Sequence, residues 1–117
     1  MGTTWILTLR NLGFGAFDGV TYGNGRFVAV GIGDILTSPD GVSWTARASG
    51  TSNYLNGVTY GNGRFVAVGN RGTILTSPDG VNWTARASGT SDWLNGVTYG
   101  NGRFVVVGNF GTILTSP

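Results

Sequence analysis

A 39-residue repeat occurs three times in the 117 residues of this chain, and it limits the possible folds more than any other feature. Trp5, Trp44 and Trp83 stand 39 residues apart. The string G-V-T-Y-G-N-G-R-F-V also appears once in each copy. In repeat architectures each copy is one supersecondary unit that buries its apolar face against the next copy. The spacing therefore predicts three similar units, at about 5–43, 44–82 and 83–117.

The copies are nearly identical. Aligning residues 44–78 with 83–117 pairs 35 positions and leaves four differences, which are Asn53/Asp92, Tyr54/Trp93, Ala67/Val106 and Arg71/Phe110. Such identity is typical of recent duplication or of an engineered consensus. The period also continues if Pro117 is joined to Met1, so we expect an array cut inside a turn, either a fragment of a longer array or an engineered piece.

The charged residues are seven Arg and five Asp, and the chain contains no Lys, Glu, His or Cys. This set excludes zinc fingers, iron–sulfur clusters, Ser–His–Asp triads and Schiff-base lysines. The arginines are dispersed and the net charge is only +2, which argues against nucleic-acid binding. Apolar runs are too short to span a membrane, and we expect no signal peptide. The composition predicts a protein that is not an enzyme and needs no metal or other cofactor.

Short β-branched runs separated by glycine predict an all-β chain. In the middle repeat the predicted strands are Trp44–Ala48, Gly57–Tyr60, Arg64–Gly69 and Thr73–Ser77. Asn-Gly, Pro-Asp-Gly and Gly-x-x-Gly sequences supply the tight turns between them. Four antiparallel strands joined in this way form a meander. Two folds have about 40 residues and four strands per repeat: the blade of a β-propeller and the lobe of a β-trefoil, and a trefoil would be a closed monomer.

The segments Ser38–Trp44 and Ser77–Trp83 both read S-P-D-G-V-x-W. They resemble the Asp-box of the BNR, sialidase-type β-propellers, which runs S/T-x-D-x-G-x-T-W between the third and fourth strands of a blade. The box here is one residue shorter between Asp and Trp. The resemblance implies three four-stranded propeller blades. It also implies a structural turn role, away from any ligand, for the four residues Asp40, Gly41, Asp79 and Gly80.

Three blades are too few to close a propeller, so we expect closure by oligomerisation. The chain begins with a predicted outer strand, Trp5–Leu9, and ends with a predicted third strand, Gly111–Ser116. Head-to-tail contact would let the first complete the last blade of another copy. The predicted interface residues are Trp5, Ile6, Leu7, Thr112, Ile113 and Leu114. We predict a homodimer with six blades, in preference to a trimer with nine.

Differences between the copies concentrate in loops that a meander places on one face. The candidate ligand-binding residues there are Asn53, Tyr54, Arg71, Asp92, Trp93 and Phe110. Aromatic rings beside polar side chains suit carbohydrate, so a multivalent lectin-like propeller is the alternative function. A sialidase-like glycosidase is a more remote alternative, because the chain lacks the Glu that such enzymes use and near-identical repeats supply no distinct acid and base.

Overall fold

The repeats fold into antiparallel β-sheets, which confirms the prediction of an all-β chain. The structure is a computed structural model that describes residues 3–10 and 13–117. Within these ranges, eleven strands form two four-stranded sheets and one three-stranded sheet. The strands of each sheet follow one another in chain order, so every sheet is a meander.

Each sheet takes its first three strands from one repeat, and each four-stranded sheet takes its outer strand from the beginning of the next repeat. The first sheet contains β1 (Phe17–Gly23), β2 (Arg26–Gly31), β3 (Ile35–Ser38) and β4 (Thr45–Arg47). The second contains β5 (Leu55–Gly61), β6 (Arg64–Gly69), β7 (Ile74–Ser77) and β8 (Thr84–Arg86). The third contains β9 (Leu94–Gly100), β10 (Arg103–Gly108) and β11 (Ile113–Thr115).

The inner strands of the middle repeat lie close to their predicted bounds. The strand predicted at Arg64–Gly69 is β6 itself. The strand predicted from Gly57 begins earlier, at Leu55, across a β-bulge that shifts the pairing register. The strand predicted from Thr73 begins one residue later. Thr73 instead closes a turn, because its N–H and its hydroxyl both donate to the carbonyl of Asn70.

The outer strands differ more from the prediction. The strand predicted at Trp44–Ala48 is shortened to β4, and the one predicted at Gly111–Ser116 is shortened to β11. Residues 3–10 pair with no described strand of the single chain, so the strand predicted at Trp5–Leu9, which we expect to pair with another copy, stays a prediction. A strand is defined by its ladder to a neighbour. Among the described strands, the outer edge of β11 is also unpaired.

The Asn-Gly pairs form tight hairpins between the first two strands of each sheet. Asn62 and Gly63 have φ angles of 49° and 76°, which are the two positive values that a type I′ turn requires. The corresponding pairs that begin at Asn24 and Asn101 adopt the same conformation. Because this turn matches the twist of the flanking strands, it sets the register that pairs Tyr60 with Phe65.

Neighbouring sheets pack against each other through apolar joints. In the first joint, buried residues of the first sheet meet those of the second, namely Val28, Val30 and Ile35 with Leu55, Val58, Phe65, Ala67 and Leu75. The second joint repeats the pattern between the second and third sheets, with Val66, Val68 and Ile74 against Leu94, Val97, Phe104, Val106 and Leu114. The hydrophobic core of the chain is therefore two copies of one joint.

The first strands of the three sheets lie side by side. A Cβ atom on Gly19 would lie 3.1 Å from the Cα of Gly57, and one on Gly57 would lie 3.3 Å from the Cα of Gly96. Glycine at these positions lets the backbones of β1, β5 and β9 approach more closely than side chains would allow. This close approach sets the spacing of the array.

Candidate functional site

The array has two free faces. We call the face of the first sheet that points away from the second sheet the leading face, and we call the face of the third sheet that points away from the second sheet the trailing face. On the leading face, Val20 is 62 % exposed, whereas the equivalent Val58 is 9 % exposed in the first joint. Phe17 and Tyr22 are exposed beside Val20, at positions that Leu55 and Tyr60 hold in the first joint.

The trailing face shows the complementary half of the same joint. Ile113 is 66 % exposed, whereas Ile35 at the same repeat position is 1 % exposed in the first joint. Val107 is exposed as well, whereas the equivalent Val68 is fully buried. The leading and trailing faces therefore carry the two sides of a joint that the chain already forms twice.

The third sheet also differs from the first two in the contacts of its aromatic side chains. Each sheet pairs a Tyr with a Phe at a centroid distance between 4.7 and 4.8 Å. In the first two sheets a Trp lies 6.4 Å from that Phe, as Trp83 does from Phe65. The third sheet has Phe104 but no Trp contact of this kind among the described residues. Trp5 occupies the matching repeat position and is 96 % exposed.

Phe104 lines a groove of about 370 Å³ between the second and third sheets. Its apolar wall includes Val66, Phe104 and Leu114, and Pro117 lines it as well. The groove runs along β11, where the first two sheets have a fourth strand. Residues 8–10 lie elsewhere, along a groove of about 540 Å³ on the leading face. Of the predicted interface residues, Trp5, Ile6, Leu7 and Ile113 are exposed and Leu114 lines the groove, whereas Thr112 is half-buried and donates its hydroxyl to Asp92. This chain does not bring its two ends together.

The turn at Ser38–Ser43 is held by one carboxylate. Asp40 Oδ1 accepts the backbone N–H groups of Val42 and Ser43 at 2.8 and 3.0 Å. Ser38 Oγ donates to the same oxygen at 3.1 Å and accepts the N–H of Gly41 at 2.7 Å. The bonds from the Ser43 and Val42 backbones hold the pKa of Asp40 below its usual range. The arrangement leaves Asp40 engaged within its own turn.

The turn at Ser77–Asn82 repeats these contacts and adds two more. Asp79 Oδ2 accepts the side-chain amide of Asn82 at 2.9 Å, and Trp83 Nε1 donates to the carbonyl of Gly80 at 2.8 Å. Backbone bonds from Asn82 and Val81 again lower the pKa of Asp79. Both turns lie between the third and fourth strands of a sheet.

A third surface, the loop face, consists of the connections 48–54 and 87–93 together with the turns 32–34, 70–72 and 109–111. Backbone bonds hold these loops against each other: the N–H of Asn70 donates to Tyr54, and the N–H of Gly72 donates to Asp92. The second of these bonds crosses from the second sheet to the loop that precedes the third. The loop face is therefore a continuous surface across the joints.

Two of the predicted ligand-binding residues are engaged within the loop face. Asn53 Nδ2 donates to Thr73 Oγ1 at 2.9 Å. At the matching position, Asp92 Oδ2 accepts the hydroxyl of Thr112 at 2.7 Å. Each pair ties a long connection to the tight turn of the same repeat. This contact explains why the Asn53/Asp92 difference is compatible with one fold, since either side chain supplies a partner for a threonine hydroxyl.

The other four predicted ligand-binding residues present their side chains to solvent. Tyr54 and Trp93 are about half exposed, and Phe110 is 91 % exposed. Arg71 and Phe110 also have φ angles of 58° and 59°. A bulky residue with positive φ is uncommon, because its Cβ crowds the backbone. The loop face therefore displays an exposed aromatic ring on a strained turn.

The described residues 3–10 and 13–117 include no group of three or more His, Cys, Asp or Glu side chains that could hold a metal ion. No helix in those ranges has the length and hydropathy needed to cross a membrane.

Sequence reasoning missed one repeated contact, in which a Tyr ring lies on a Gly of the preceding sheet. The signal was the recurring Tyr-Gly pair at the end of each first strand, at residues 22–23, 60–61 and 99–100.

No protein-family model matches the chain, and no curated protein sequence matches it.

Proposed function

We propose that this chain is a non-enzymatic assembly module, two copies of which join head to tail into a closed six-bladed β-propeller. Each sheet is one blade in this proposal. The observation that carries it is the exposure of Val20 on the leading face and of Val107 and Ile113 on the trailing face, at repeat positions that are buried or half-buried at the internal joints. An exposed apolar face of this kind marks an interaction surface.

A second copy is the occupant that these faces fit. On the leading face of one copy, the first sheet carries the repeat positions that the second sheet buries at the first joint. For example, Phe27 holds the position that Phe65 holds there. The trailing face of the other copy supplies Val107 and Ile113 where the first joint has Val30 and Ile35. Because the two faces differ, the contact is heterologous, and such contacts generate a ring when the rotation closes.

The number of blades follows from closure. Propellers use roughly four to eight blades, so the three blades of one chain are too few. Two chains supply six blades and three chains supply nine. The three separate sheets, packed face to face, also support a propeller over a trefoil. We therefore assign the functional unit to a dimer.

Exchange of the segment 3–10 would complete the third blade. In the second sheet Leu75 of β7 is the Cα partner of Ala85 in β8. One period later, the same register would put Leu114 of β11 opposite Leu7 of the other copy. The same placement would put Trp5 in the groove beside Phe104, and the exchange would pair the free edge of β11, which is otherwise a template for aggregation.

Cysteine cross-linking tests this register, because the chain has no cysteine of its own. The double variant Leu7→Cys/Leu114→Cys should form an intermolecular disulfide on mild oxidation, since opposite residues of antiparallel strands meet the geometry of the bond. Non-reducing electrophoresis should show a band at twice the chain mass of 12.2 kDa, which reductant removes.

The matched control is Ile6→Cys/Leu114→Cys. Its first cysteine lies one residue out of register, so its side chain points to the opposite face of the strand and should cross-link poorly. A disulfide within one chain, or equal cross-linking of both double variants, would contradict the strand exchange.

The second candidate function is carbohydrate binding at the loop face. The exposed rings of Tyr54, Trp93 and Phe110 and the guanidinium of Arg71 favour it, since rings stack on sugar faces and the cation donates hydrogen bonds. Two copies would display these groups in duplicate and gain avidity. A glycan array probed with the protein, beside the Trp93→Ala/Phe110→Ala double variant, tests it. Binding that the double variant loses supports the candidate, and an array without binders removes it.

A further inference from the structure

At both internal joints a tyrosine ring lies on a glycine of the preceding sheet. Tyr60 packs on Gly23, and Tyr99 packs on Gly61. A Cβ atom on either glycine would overlap the carbon atoms of the tyrosine ring. We call each such glycine a socket. The joint therefore requires a residue without a side chain at this position.

The third socket is open. Gly100 holds the repeat position of Gly23 and Gly61, and no atom outside its own chain neighbours lies within 4 Å of a Cβ built on it. The ring of the first tyrosine of the series, Tyr22, lies on none of the glycines in the described ranges. Its side chain is 56 % exposed and touches Phe27 at a centroid distance of 4.7 Å.

We propose that Tyr22 of one copy seats on Gly100 of another, and that this contact is the specificity-determining element of the interface between copies. The inference rests on the proposed assembly and adds to it the residue pair that selects the joint. It concerns the packing of one sheet face on another, so it is separate from the exchange of residues 3–10.

A socket of this kind selects one register. The ring fits only where the facing residue is glycine, and neighbouring residues on the same strand carry side chains that would collide with it. Gly100 also differs from the nearby glycine at 102, which has a φ of 78° and serves the hairpin turn. Because Gly100 is not in the left-handed region, another residue fits its backbone conformation without strain. Its conservation as glycine across the three copies is explained by the ring that it receives.

The test is the variant Gly100→Val. In a single chain the added side chain meets open space, so the circular dichroism spectrum should be unchanged. In the assembly it would collide with Tyr22, and we expect the dissociation constant of the dimer to rise by about 5- to 150-fold, the range typical of overpacking at a fitted contact. Sedimentation equilibrium over a concentration series measures this constant.

The control is Thr84→Val, which also places a branched side chain on an exposed strand. Thr84 belongs to the second sheet, both of whose neighbours are present in the chain, so its surroundings should not change on assembly. We expect its dissociation constant to stay within twofold of the wild-type value.

A double-mutant cycle isolates the contact. Tyr22→Ala alone should weaken the dimer, since buried aromatic anchors dominate interfaces. In the background of Tyr22→Ala, adding Gly100→Val should change the constant by less than about threefold, because the ring is no longer there to collide with.

The outcomes separate this inference from the proposed function. A wild-type chain that stays monomeric would overturn the assembly itself. A dimeric wild type whose Gly100→Val variant dimerises equally well would leave the assembly in place and overturn the socket. An equal loss from Gly100→Val with and without Tyr22 would overturn the pairing of these two residues.

Discussion

The ring of Tyr99 lies directly on the backbone of Gly61, so a side chain at residue 61 would overlap it. This contact joins the last residue of β5 to the third sheet, and the contact of Tyr60 with Gly23 repeats it one sheet earlier. The stability of the array therefore depends on two glycines for a reason other than backbone conformation, since neither has a φ in the left-handed region.

Gly61→Ala should lower the free energy of unfolding by about 1 to 3 kcal/mol, the usual cost of overpacking a fitted contact. Urea denaturation followed by circular dichroism measures the change. Gly100→Ala is the matched control, because its Cβ meets open space in the single chain, and it should leave the unfolding of the monomer unchanged or slightly improved. Equal destabilisation by the two substitutions, at concentrations where the chain is monomeric, would contradict the role given to the ring.

Ile35 and Ile113 are isoleucines at the same position of two different repeats, but only Ile35 is buried in the single chain. Ile35→Ala should cost about 2 to 5 kcal/mol of unfolding free energy, as truncation of a buried isoleucine does. Ile113→Ala should cost less than about 0.5 kcal/mol at concentrations where the chain is monomeric. At high concentration it should instead shift the association equilibrium. An Ile113→Ala variant that associates like the wild type would argue against burial of the trailing face.

Phe110→Gly should raise the melting temperature, because glycine relieves the positive φ at a position where the ring is almost fully exposed. Relief of a left-handed conformation contributes about 1 to 2 kcal/mol, and the entropy of glycine in the unfolded chain offsets about half of it. Phe110→Val should lower the melting temperature, since a β-branched side chain fits this conformation worse. Differential scanning calorimetry of both variants measures the contrast, and the opposite order would contradict the strain.

Stability should fall with acid as Asp40 and Asp79 become protonated. Their pKa values are lowered in the folded chain relative to an ordinary aspartate, so each carboxylate stabilises the fold above about pH 4, and this contribution is lost as the pH falls below that value. Asp79→Asn should therefore destabilise the chain at pH 7 and differ progressively less from the wild type in stronger acid. Asp18→Asn, at an exposed position, is the control.

Thermal melts between pH 2 and pH 7 would follow this effect. Because the amide oxygen of asparagine can still accept the backbone bonds of the turn, the loss at pH 7 should stay below the roughly 1 kcal/mol that removal of a capping side chain costs. A constant difference between Asp79→Asn and the wild type over the whole pH range would contradict the linkage.

The repeat and its turn residues were enough to predict the local structure. The strand at Arg64–Gly69 has its predicted bounds, because a β-branched run between an Asn-Gly turn and a Gly-x-x-Gly turn leaves one extended interpretation. The start of β5 was missed because a β-bulge near Asn56 adds residues that strict alternation does not reveal. The strand predicted at Trp5–Leu9 was expected to complete the last blade of another copy, and the single chain provides no partner strand for it.

The surfaces were harder to predict than the strands. The repeat differences drew attention to Asn53 and Asp92 as ligand-binding residues, whereas their contacts are with Thr73 and Thr112, each 20 residues away in the sequence. Such pairs become visible only when the loops are placed in space. The sockets were missed for a related reason, since a Tyr-Gly pair looks like the end of a strand until the neighbouring sheet is added.

The mass of the chain in solution tests the central claim most directly. Multi-angle light scattering after size exclusion, over a hundredfold range of concentration, should give twice the chain mass of 12.2 kDa at the higher concentrations. A mass of 12.2 kDa throughout would contradict the six-bladed dimer and the completion of its third blade by a second copy.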